Sequence, residues 1–195
     1  MQSSSLIREG EVFFRQWLRT PKSMGSVIPS SKYLARALAA EVAWHPGQYI
    51  VELGGGTGSI TQGLIERGIP KDRLIVVELE THLFEYLRDR FPESRVIQGD
   101  ATRLGEILAR HDIGTVGTVI SGLPVVGMPF EFQKAIVDQG MQAMHGKGND
   151  DGFMLQYSYS PIAPLPAERL GLKVTRARYV LRNFPPAAVW KYTRA

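Results

Sequence analysis

YIVELGGGTGSIT, residues 49–61, is the stretch from which the rest of the chain is interpreted. Its first four residues form a mostly apolar run that is typical of a buried parallel strand. Gly54, Gly56 and Gly58 follow at alternate positions, and an apolar-periodic segment begins at Ser59. A strand, a glycine turn and a helix in this order predict a loop that holds a nucleotide-type ligand. Glycine lets the ligand lie against bare backbone, and the start of the helix offers unpaired N–H groups.

The spacing and the charge of this loop separate it from a dinucleotide-binding loop. The dinucleotide fingerprint G-x-G-x-x-G would place its third glycine at position 59, where this chain has Ser59. Glu52 lies at the end of the predicted strand, and its carboxylate would repel a pyrophosphate. A positively charged cofactor without phosphate fits better. We therefore expect S-adenosyl-L-methionine (SAM), which carries a sulfonium and an amino group.

Length and composition indicate one globular domain. The 195 residues are enough for a full core, and 44% hydrophobic with 22% charged residues is ordinary for such a domain. The absence of cysteine excludes a disulfide framework, a thiolate metal site and a cysteine nucleophile. The four histidines show no ligand spacing, so we expect no metal. There is no apolar run of about 18 residues and no signal-peptide pattern, and we expect a cytoplasmic protein.

The net charge of +4 is distributed unevenly along the chain. Residues 1–40 carry six Lys/Arg and two acidic residues, and residues 41–165 carry ten against sixteen. Residues 166–195 carry seven basic residues and one acidic residue. Basic ends around an acidic middle indicate a surface that meets an anionic partner, either nucleic acid or acidic lipid. Solvated basic faces without a partner are the alternative.

Residues 5–19 have the periodicity of an amphipathic helix. At about 100° per residue, two phenylalanines and a tryptophan fall on one face and three arginines fall on the opposite face. This pattern is typical of a helix that lies in a membrane interface. We therefore assign residues 1–20 to membrane binding and residues 21–195 to the main domain. A helix packed against its own domain is the alternative. The side chains concerned are Phe13, Phe14, Trp17, Arg8, Arg15 and Arg19.

Strand and helix patterns alternate from residue 49 onward. This alternation predicts an α/β fold, with a parallel sheet covered by helices on both faces. Two further extended segments, joined by the sequence NFPP, predict a C-terminal antiparallel hairpin and a total of seven strands. The strands are expected over 49–53, 74–77, 95–98, 115–120, 153–159, 172–182 and 187–194, and the helices over 32–42, 59–67, 81–91, 103–110 and 130–144.

Further candidate ligand contacts follow the other strands, since open parallel sheets bind ligands outside the carboxyl ends of their strands. Glu78 comes at the end of the second strand, where an acidic side chain can accept hydrogen bonds from ribose hydroxyls. Asp100 follows the third strand and could accept from an adenine amino group, with Ala101 supplying backbone contacts. The turn that starts at Ser121 would place backbone carbonyls beside a transferred methyl group.

The motifs VELGGGTG, VVELE, QGDA and SGLP, in this order, resemble those of class I methyltransferases related to the ribosomal RNA adenine dimethylases. The chain resembles bacterial phospholipid N-methyltransferases more closely, and those enzymes convert phosphatidylethanolamine stepwise to phosphatidylcholine. The basic amphipathic start, SVIPSS and QYSYSP extend the resemblance over nearly the whole chain. The resemblance implies a Rossmann-like seven-stranded fold with SAM as cofactor. The implied contacts are Glu52, Gly54, Gly56, Gly58, Glu78, Asp100 and Ala101, and the predicted set also includes Thr57, Leu79 and Ser121.

The turn after the fourth strand argues against a nucleic acid base as acceptor. Adenine dimethylases carry N-L-P-Y or a similar tetrapeptide there, in which an amide or acid side chain holds the amine and an aromatic ring stacks on the base. This chain has SGLPV and lacks both groups. A lipid amine fits better, and Tyr33, Tyr157 and Tyr159 are candidates for holding it through cation–π attraction. The alternative for each tyrosine is a core position with a bonded hydroxyl.

The predicted function is therefore SAM-dependent N-methylation of phosphatidylethanolamine and its mono- and dimethyl intermediates, by an enzyme bound to the inner face of the cytoplasmic membrane. An anionic phospholipid surface is the expected partner, and no nucleic acid is expected. An RNA (adenine) or protein N-methyltransferase is the alternative within enzymes. A regulatory or membrane-remodelling protein that has lost methyl transfer is a further alternative, against which the intact acidic residues argue. The sequence does not choose among five candidates for binding lipid phosphate: Arg169, Lys173, Arg176, Arg178 and Arg182.

Overall fold

The computed structural model describes residues 31–145 and 152–195. The predicted membrane-binding segment, residues 1–20, lies outside the described residues, as does most of the SVIPSS loop. Within the described ranges, each predicted strand and helix occurs, and its bounds differ from the prediction by no more than two residues. The strands are β1 (Tyr49–Leu53), β2 (Leu74–Glu78), β3 (Arg95–Gln98), β4 (Val116–Ser121), β5 (Phe153–Ser158), β6 (Leu172–Val180) and β7 (Ala187–Arg194). The helices are α1 (Lys32–Glu41), α2 (Ser59–Glu66), α3 (Thr81–Arg90), α4 (Leu104–Arg110) and α5 (Phe130–His145).

The strands form one sheet in the order β3-β2-β1-β4-β5-β7-β6. Strands β1 to β5 are parallel, and β7 lies antiparallel between β5 and β6. The predicted fold, five parallel strands and a C-terminal antiparallel hairpin, is confirmed. Ser158 at the end of β5 pairs with Ala188, and Val180 at the end of β6 pairs with Ala187. The β6–β7 turn therefore lies at the edge where β1 to β5 end, which we call the carboxyl edge.

Helices cover both faces of the sheet because successive side chains along each strand point to opposite faces. Ile50 of β1 packs in one buried cluster with Leu38 of α1 and Leu64 of α2. Val51 packs in the other cluster with Val137 of α5. The same alternation directs Glu52, two residues after Ile50, toward the face covered by α2. The fold thus places a carboxyl group under the first turns of a helix.

The start of α1 is tied to the β6–β7 turn. Ser31 caps α1, and its hydroxyl oxygen accepts a hydrogen bond from the Leu34 N–H at 3.3 Å. The Ser31 N–H donates to Oδ1 of Asn183 at 3.3 Å. The chain therefore enters α1 at the carboxyl edge, beside the β6–β7 turn.

No helix in residues 31–145 and 152–195 is long and apolar enough to cross a bilayer. The same ranges hold no group of three or more histidine, aspartate or glutamate side chains placed to bind a metal ion.

Candidate active site

Backbone hydrogen bonds join the turns at the carboxyl edge. The Gly54 N–H, directly after β1, donates to the Val77 carbonyl of β2 at 2.8 Å. The Gly122 N–H, directly after β4, donates to the Leu53 carbonyl of β1, also at 2.8 Å. The positions predicted from separate motifs are therefore brought together along one line of neighbouring turns.

Glycine is needed at positions 54 and 56 of the turn after β1 for different structural reasons. Gly56 has φ of +53°, and a Cβ atom added there would meet nothing within 4 Å, so this residue borders open space. Gly54 has φ of +75°, and an added Cβ would lie 2.7 Å from Cδ2 of Leu123. Gly56 therefore leaves room for a ligand, whereas Gly54 lets the turn after β4 pack closely.

Glu78 holds the glycine turn in place. Its side chain is buried, and Oε2 accepts a hydrogen bond from the Gly56 N–H at 3.0 Å. Its Oε1 accepts from the N–H groups of Leu79 at 2.8 Å and Glu80 at 3.0 Å. This positioning role was not predicted from the sequence. A carboxylate has about four lone-pair sites, so the three bonds leave capacity for the predicted ribose contact.

Replacing Glu78 with glutamine is expected to weaken SAM binding at least tenfold and to lower the melting temperature. The amide NH₂ cannot accept a hydrogen bond, so at least one backbone N–H loses its partner, and a bond to a charged group contributes about 1.5–3 kcal/mol. Isothermal titration calorimetry and thermal unfolding measure the two effects. Glu80→Gln is the matched control, because Glu80 takes part through its backbone N–H. Equal SAM affinity for both variants would contradict this role.

Glu52 is a buried carboxyl group with one unused oxygen. Its Oε2 accepts a hydrogen bond from the Thr61 hydroxyl of α2 at 2.6 Å, whereas Oε1 has no partner among the described residues. Burial raises the pKa of Glu52 from 4.5 to about 8; the Thr61 hydrogen bond opposes this rise, and the charge of Glu78 adds to it. In the absence of ligand the group is therefore mostly protonated at pH 7, although the sequence led us to expect a carboxylate. An unpaired buried oxygen of this kind fits a cationic donor such as the amino group of SAM.

Asp100 caps the short turn after β3. Its Oδ1 accepts from both the N–H and the hydroxyl of Thr102, each at 2.8 Å. The Gly99 N–H donates to the Glu78 carbonyl at 3.0 Å, which joins this turn to the end of β2. Asp100 and Ala101 are half-buried at the carboxyl edge, where the sequence predicted them. Their contacts with adenine stay a prediction, as do those of the remaining predicted residues of this edge, Thr57 and Leu79.

The turn after β4 is supported by a glutamine that sequence reasoning missed. Gln156 of β5 is buried, and its Nε2 donates to the Leu123 carbonyl at 3.0 Å. The fully buried Ser121 lies beside it in the sheet, and its hydroxyl oxygen accepts from the Leu123 N–H at 3.4 Å. An amide side chain directly after the apolar run FML was the available signal. Gln156 therefore positions the loop that is predicted to lie beside the transferred methyl group.

The structure brings two of the three candidate tyrosines together. The rings of Tyr157 and Tyr159, at the end of β5, lie 6.0 Å apart between centroids in an edge-to-face arrangement. Tyr33 lies in the first turn of α1, with Nζ of Lys32 at 5.5 Å and the Arg182 guanidinium at 5.8 Å from its ring centroid. Binding of an amine by any of the three stays a prediction, but the Tyr33 ring already has two cations beside it.

The register of β6 separates the candidate phosphate-binding residues. Arg182 lies in the β6–β7 turn at the carboxyl edge, whereas Lys173 pairs with Thr193 near the opposite end of the strand. Arg178 forms an ion pair with Glu41. Because a strand rises about 3.3 Å per residue, Lys173 is more than 20 Å from the turn along β6. Arg182 is therefore the best placed of the three to meet a ligand at the carboxyl edge.

A doubly wound sheet with this strand order, a glycine turn after β1, acidic side chains at the ends of β1 and β2 and another after β3 are the features of the class I methyltransferase fold. A solved TehB-like SAM-dependent methyltransferase from Corynebacterium glutamicum has the same fold. It matches with a TM-score of 0.59 and 19% identity over 96% of this chain and 99% of that chain. No protein-family model matches the chain.

Two relatives with similar sequences indicate the branch of the methyltransferases to which the chain belongs. An ornithine lipid N-methyltransferase of Singulisphaera acidiphila is 34% identical over 126 residues, which are 63% of this chain and 66% of that protein. A ribosomal RNA small subunit methyltransferase A of Verminephrobacter eiseniae is 34% identical over 141 residues, 71% of this chain but 48% of that protein. The chain belongs to the class I SAM-dependent methyltransferases, in the branch that contains lipid N-methyltransferases and ribosomal RNA adenine dimethylases. SAM, the predicted cofactor, is the cofactor of this class.

Proposed function

We propose that this protein transfers methyl groups from SAM to the amine of phosphatidylethanolamine, and then to its mono- and dimethyl derivatives. We further propose that it works while peripherally bound to the inner face of the cytoplasmic membrane. The predicted interfacial helix in residues 1–20 is part of this proposal and lies outside the described residues. Support comes from the amine-methylating lipid enzyme among its relatives and from the chemistry of the carboxyl edge.

The residues present at the carboxyl edge fit SAM. The Oε1 atom of Glu52, which has no partner among the described residues, would accept a hydrogen bond from the amino group of the cofactor. The cofactor would also lie against the open side of Gly56. Glu78 and Asp100 retain acceptor capacity for ribose and adenine. When bound, SAM supplies an electrophilic methyl carbon on a positively charged sulfur. The residues of this chain bind and orient that cofactor.

The observation that carries the acceptor assignment is the edge-to-face pair of Tyr157 and Tyr159 at the end of β5, the strand next to β4. Ser121 and Gly122 stand where adenine dimethylases have a base-holding group, so this turn offers no amide or acid side chain to hold a base. Two aromatic rings attract an ammonium through their π-systems, and this attraction persists as methyl groups are added. A flipped base would need a stacking ring after β4, which this turn lacks.

The chemistry requires an amine that has lost a proton. A free primary ammonium has a pKa near 10, and transfer from water into a desolvated site lowers that pKa by disfavouring the charged form. The protein contributes mainly by holding donor and acceptor in line, for which orientation is the principal source of rate acceleration.

Ornithine lipid is a second candidate acceptor, because the relative from Singulisphaera acidiphila is named for it. It also presents an amine at a membrane surface, but it lacks the phosphate that Arg182 would contact in phosphatidylethanolamine. The RNA and protein alternatives predicted from the sequence remain outcomes of the same experiment, since a ribosomal RNA methyltransferase is also among the relatives.

Incubation of the full chain with radiolabelled SAM tests the proposal directly. Parallel reactions contain vesicles of phosphatidylethanolamine with phosphatidylglycerol, vesicles with ornithine lipid, small-subunit ribosomal RNA, and a mixture of proteins. After extraction, chromatography of the lipid phase identifies the labelled head groups. We expect label in mono-, di- and trimethylated phosphatidylethanolamine. Label confined to ornithine lipid, RNA or protein would overturn the assignment to phosphatidylethanolamine.

Replacing Tyr159 with alanine is expected to lower the rate of lipid methylation about tenfold, because a desolvated cation–π contact contributes about 1–2 kcal/mol. SAM affinity should stay unchanged, since this tyrosine acts on the acceptor. Tyr159→Phe is the matched control and should retain most of the activity through its ring. Steady-state rates on mixed micelles and calorimetric SAM titrations measure the two properties. Equal activity of the alanine variant and the wild type would remove Tyr159 from the acceptor site.

A further inference from the structure

The most exposed aliphatic and phenylalanine side chains of residues 31–145 and 152–195 share one edge of the molecule. Val126 follows β4 and is 62% exposed, and Ile162 follows β5 and is 73% exposed. Leu181 and Phe184, in the β6–β7 turn, are 73% and 90% exposed. Since β4, β5 and β6 all end at the carboxyl edge, these four side chains follow strands that end at the same edge as the candidate active site. We call them the apolar edge.

The β6–β7 turn holds its two apolar side chains outward. Asn183, between them, is buried, and its Nδ2 donates to the Pro185 carbonyl at 2.6 Å. Its Oδ1 accepts from the Ser31 N–H at the start of α1. The turn is therefore anchored to the domain by its polar residue, whereas Leu181 and Phe184 face solvent. Exposed apolar groups that converge on one edge are typical of an interaction surface.

Two positively charged side chains lie at the same edge of the sheet as the apolar edge. Arg182 lies between Leu181 and Asn183 in the turn, and Lys32 lies in the first turn of α1. Among the described residues neither side chain forms an ion pair with a carboxylate, and both lie beside the Tyr33 ring. Apolar side chains flanked by unpaired cations match the layers of an anionic leaflet, in which acyl chains lie beneath phosphate groups. The charge complementarity thus favours a bilayer as the partner.

We propose that the apolar edge inserts into the interface of an acidic phospholipid bilayer, with the β6–β7 turn as its principal contact. The active site then faces the leaflet, and a lipid amine reaches the cofactor without leaving the interface. This contact is distinct from the predicted helix in residues 1–20, because it is built from loops at the carboxyl ends of the strands. The inference rests on the proposed lipid substrate for its functional consequence, but the insertion itself is measured without turnover.

The absence of cysteine allows a direct test with the full chain. Phe184→Cys and Ile162→Cys are labelled separately with an environment-sensitive fluorophore. His111→Cys, exposed after α4 at the opposite edge, is the matched control. On vesicles of phosphatidylethanolamine and phosphatidylglycerol, the first two labels should shift to the blue and be quenched by brominated acyl chains, whereas the control label should not. Labels at 184 and 162 that stay in water while the protein co-sediments with vesicles would overturn the proposal.

A serine double variant, Leu181→Ser with Phe184→Ser, links insertion to activity. We expect vesicle affinity to fall about tenfold or more, and methylation of lipid in vesicles to fall with it. SAM affinity and methylation of short-chain phosphatidylethanolamine dispersed in detergent should stay at the wild-type level, which also shows that the variant is folded. Unchanged vesicle affinity would contradict insertion. Labels that insert while no lipid gains a methyl group would support insertion and overturn the proposed function instead.

Discussion

Replacing Glu52 with glutamine is expected to stabilise the ligand-free protein at pH 8 and to weaken SAM binding at least tenfold. The pKa of Glu52 is 4.5 in an ordinary environment and about 8 in the fold, so between these values the folded state holds a proton that the unfolded state has lost. The free energy of unfolding therefore falls as the pH rises from 4.5 to 8, by up to about 1.4 kcal/mol per pH unit. Glutamine does not titrate, keeps an acceptor for the Thr61 hydroxyl, and removes this loss.

Urea unfolding of the two proteins at pH 5 and pH 8 checks this expectation. The stability advantage of Glu52→Gln should be small at pH 5 and should increase to a few kcal/mol at pH 8. Equal stability differences at both pH values would contradict the raised pKa. Without ligand, the wild type would thus be less stable than Glu52→Gln, because its fold buries a carboxyl group whose use is to bind SAM.

The same group should make SAM binding depend on pH. A cationic ligand favours the ionised form of Glu52, and ionisation below pH 8 requires release of a proton. The SAM affinity of the wild type should therefore rise about tenfold per pH unit up to about pH 8 and then level off. Calorimetry in buffers of different ionisation enthalpy detects the released proton. Glu52→Gln should show the weaker affinity without this dependence, and identical pH profiles for the two proteins would show that Glu52 does not meet the cation.

Replacing Gly122 with alanine is expected to disrupt the carboxyl edge. An added Cβ would lie 2.6 Å from the Gly54 carbonyl oxygen, which is backbone and cannot rotate away. The turn after β4 would have to move from β1, and its N–H bond to the Leu53 carbonyl would be strained. Overpacking of this kind costs about 1–3 kcal/mol. We expect a lower melting temperature and a loss of SAM affinity of at least tenfold.

Gly114→Ala is the matched control for this variant. An added Cβ there lies 3.5 Å from Cε2 of Tyr49, an ordinary contact at the opposite edge of the sheet. Thermal unfolding and SAM titration of this control should stay close to the wild type, or show slightly higher stability through the lower entropy of the unfolded chain. If both alanine variants behaved alike, close packing of the two turns would not be needed for cofactor binding.

The strand positions could be predicted because the signals for them are local. The run YIVEL, the turn glycines and the prolines mark where each element begins or ends, and β1, β3 and β7 occur where they were expected. The acidic residues at the ends of β1 and β2 and after β3 likewise predicted a common edge, because parallel strands end on the same side. What could not be predicted was the use of Glu78 as an anchor for the glycine turn, which depends on a contact across 22 residues.

The amino-acid sequence by itself determined the class of fold and of cofactor, since periodicity and motif order are properties of the chain. The tertiary structure decided the protonation state of Glu52, because burial beneath α2 is what raises its pKa. It also decided that Gln156 supports the turn after β4 and that Arg182, rather than Lys173, lies at the carboxyl edge. These properties depend on strand register and on packing between distant segments, and burial and close contact exist only once the sheet has formed.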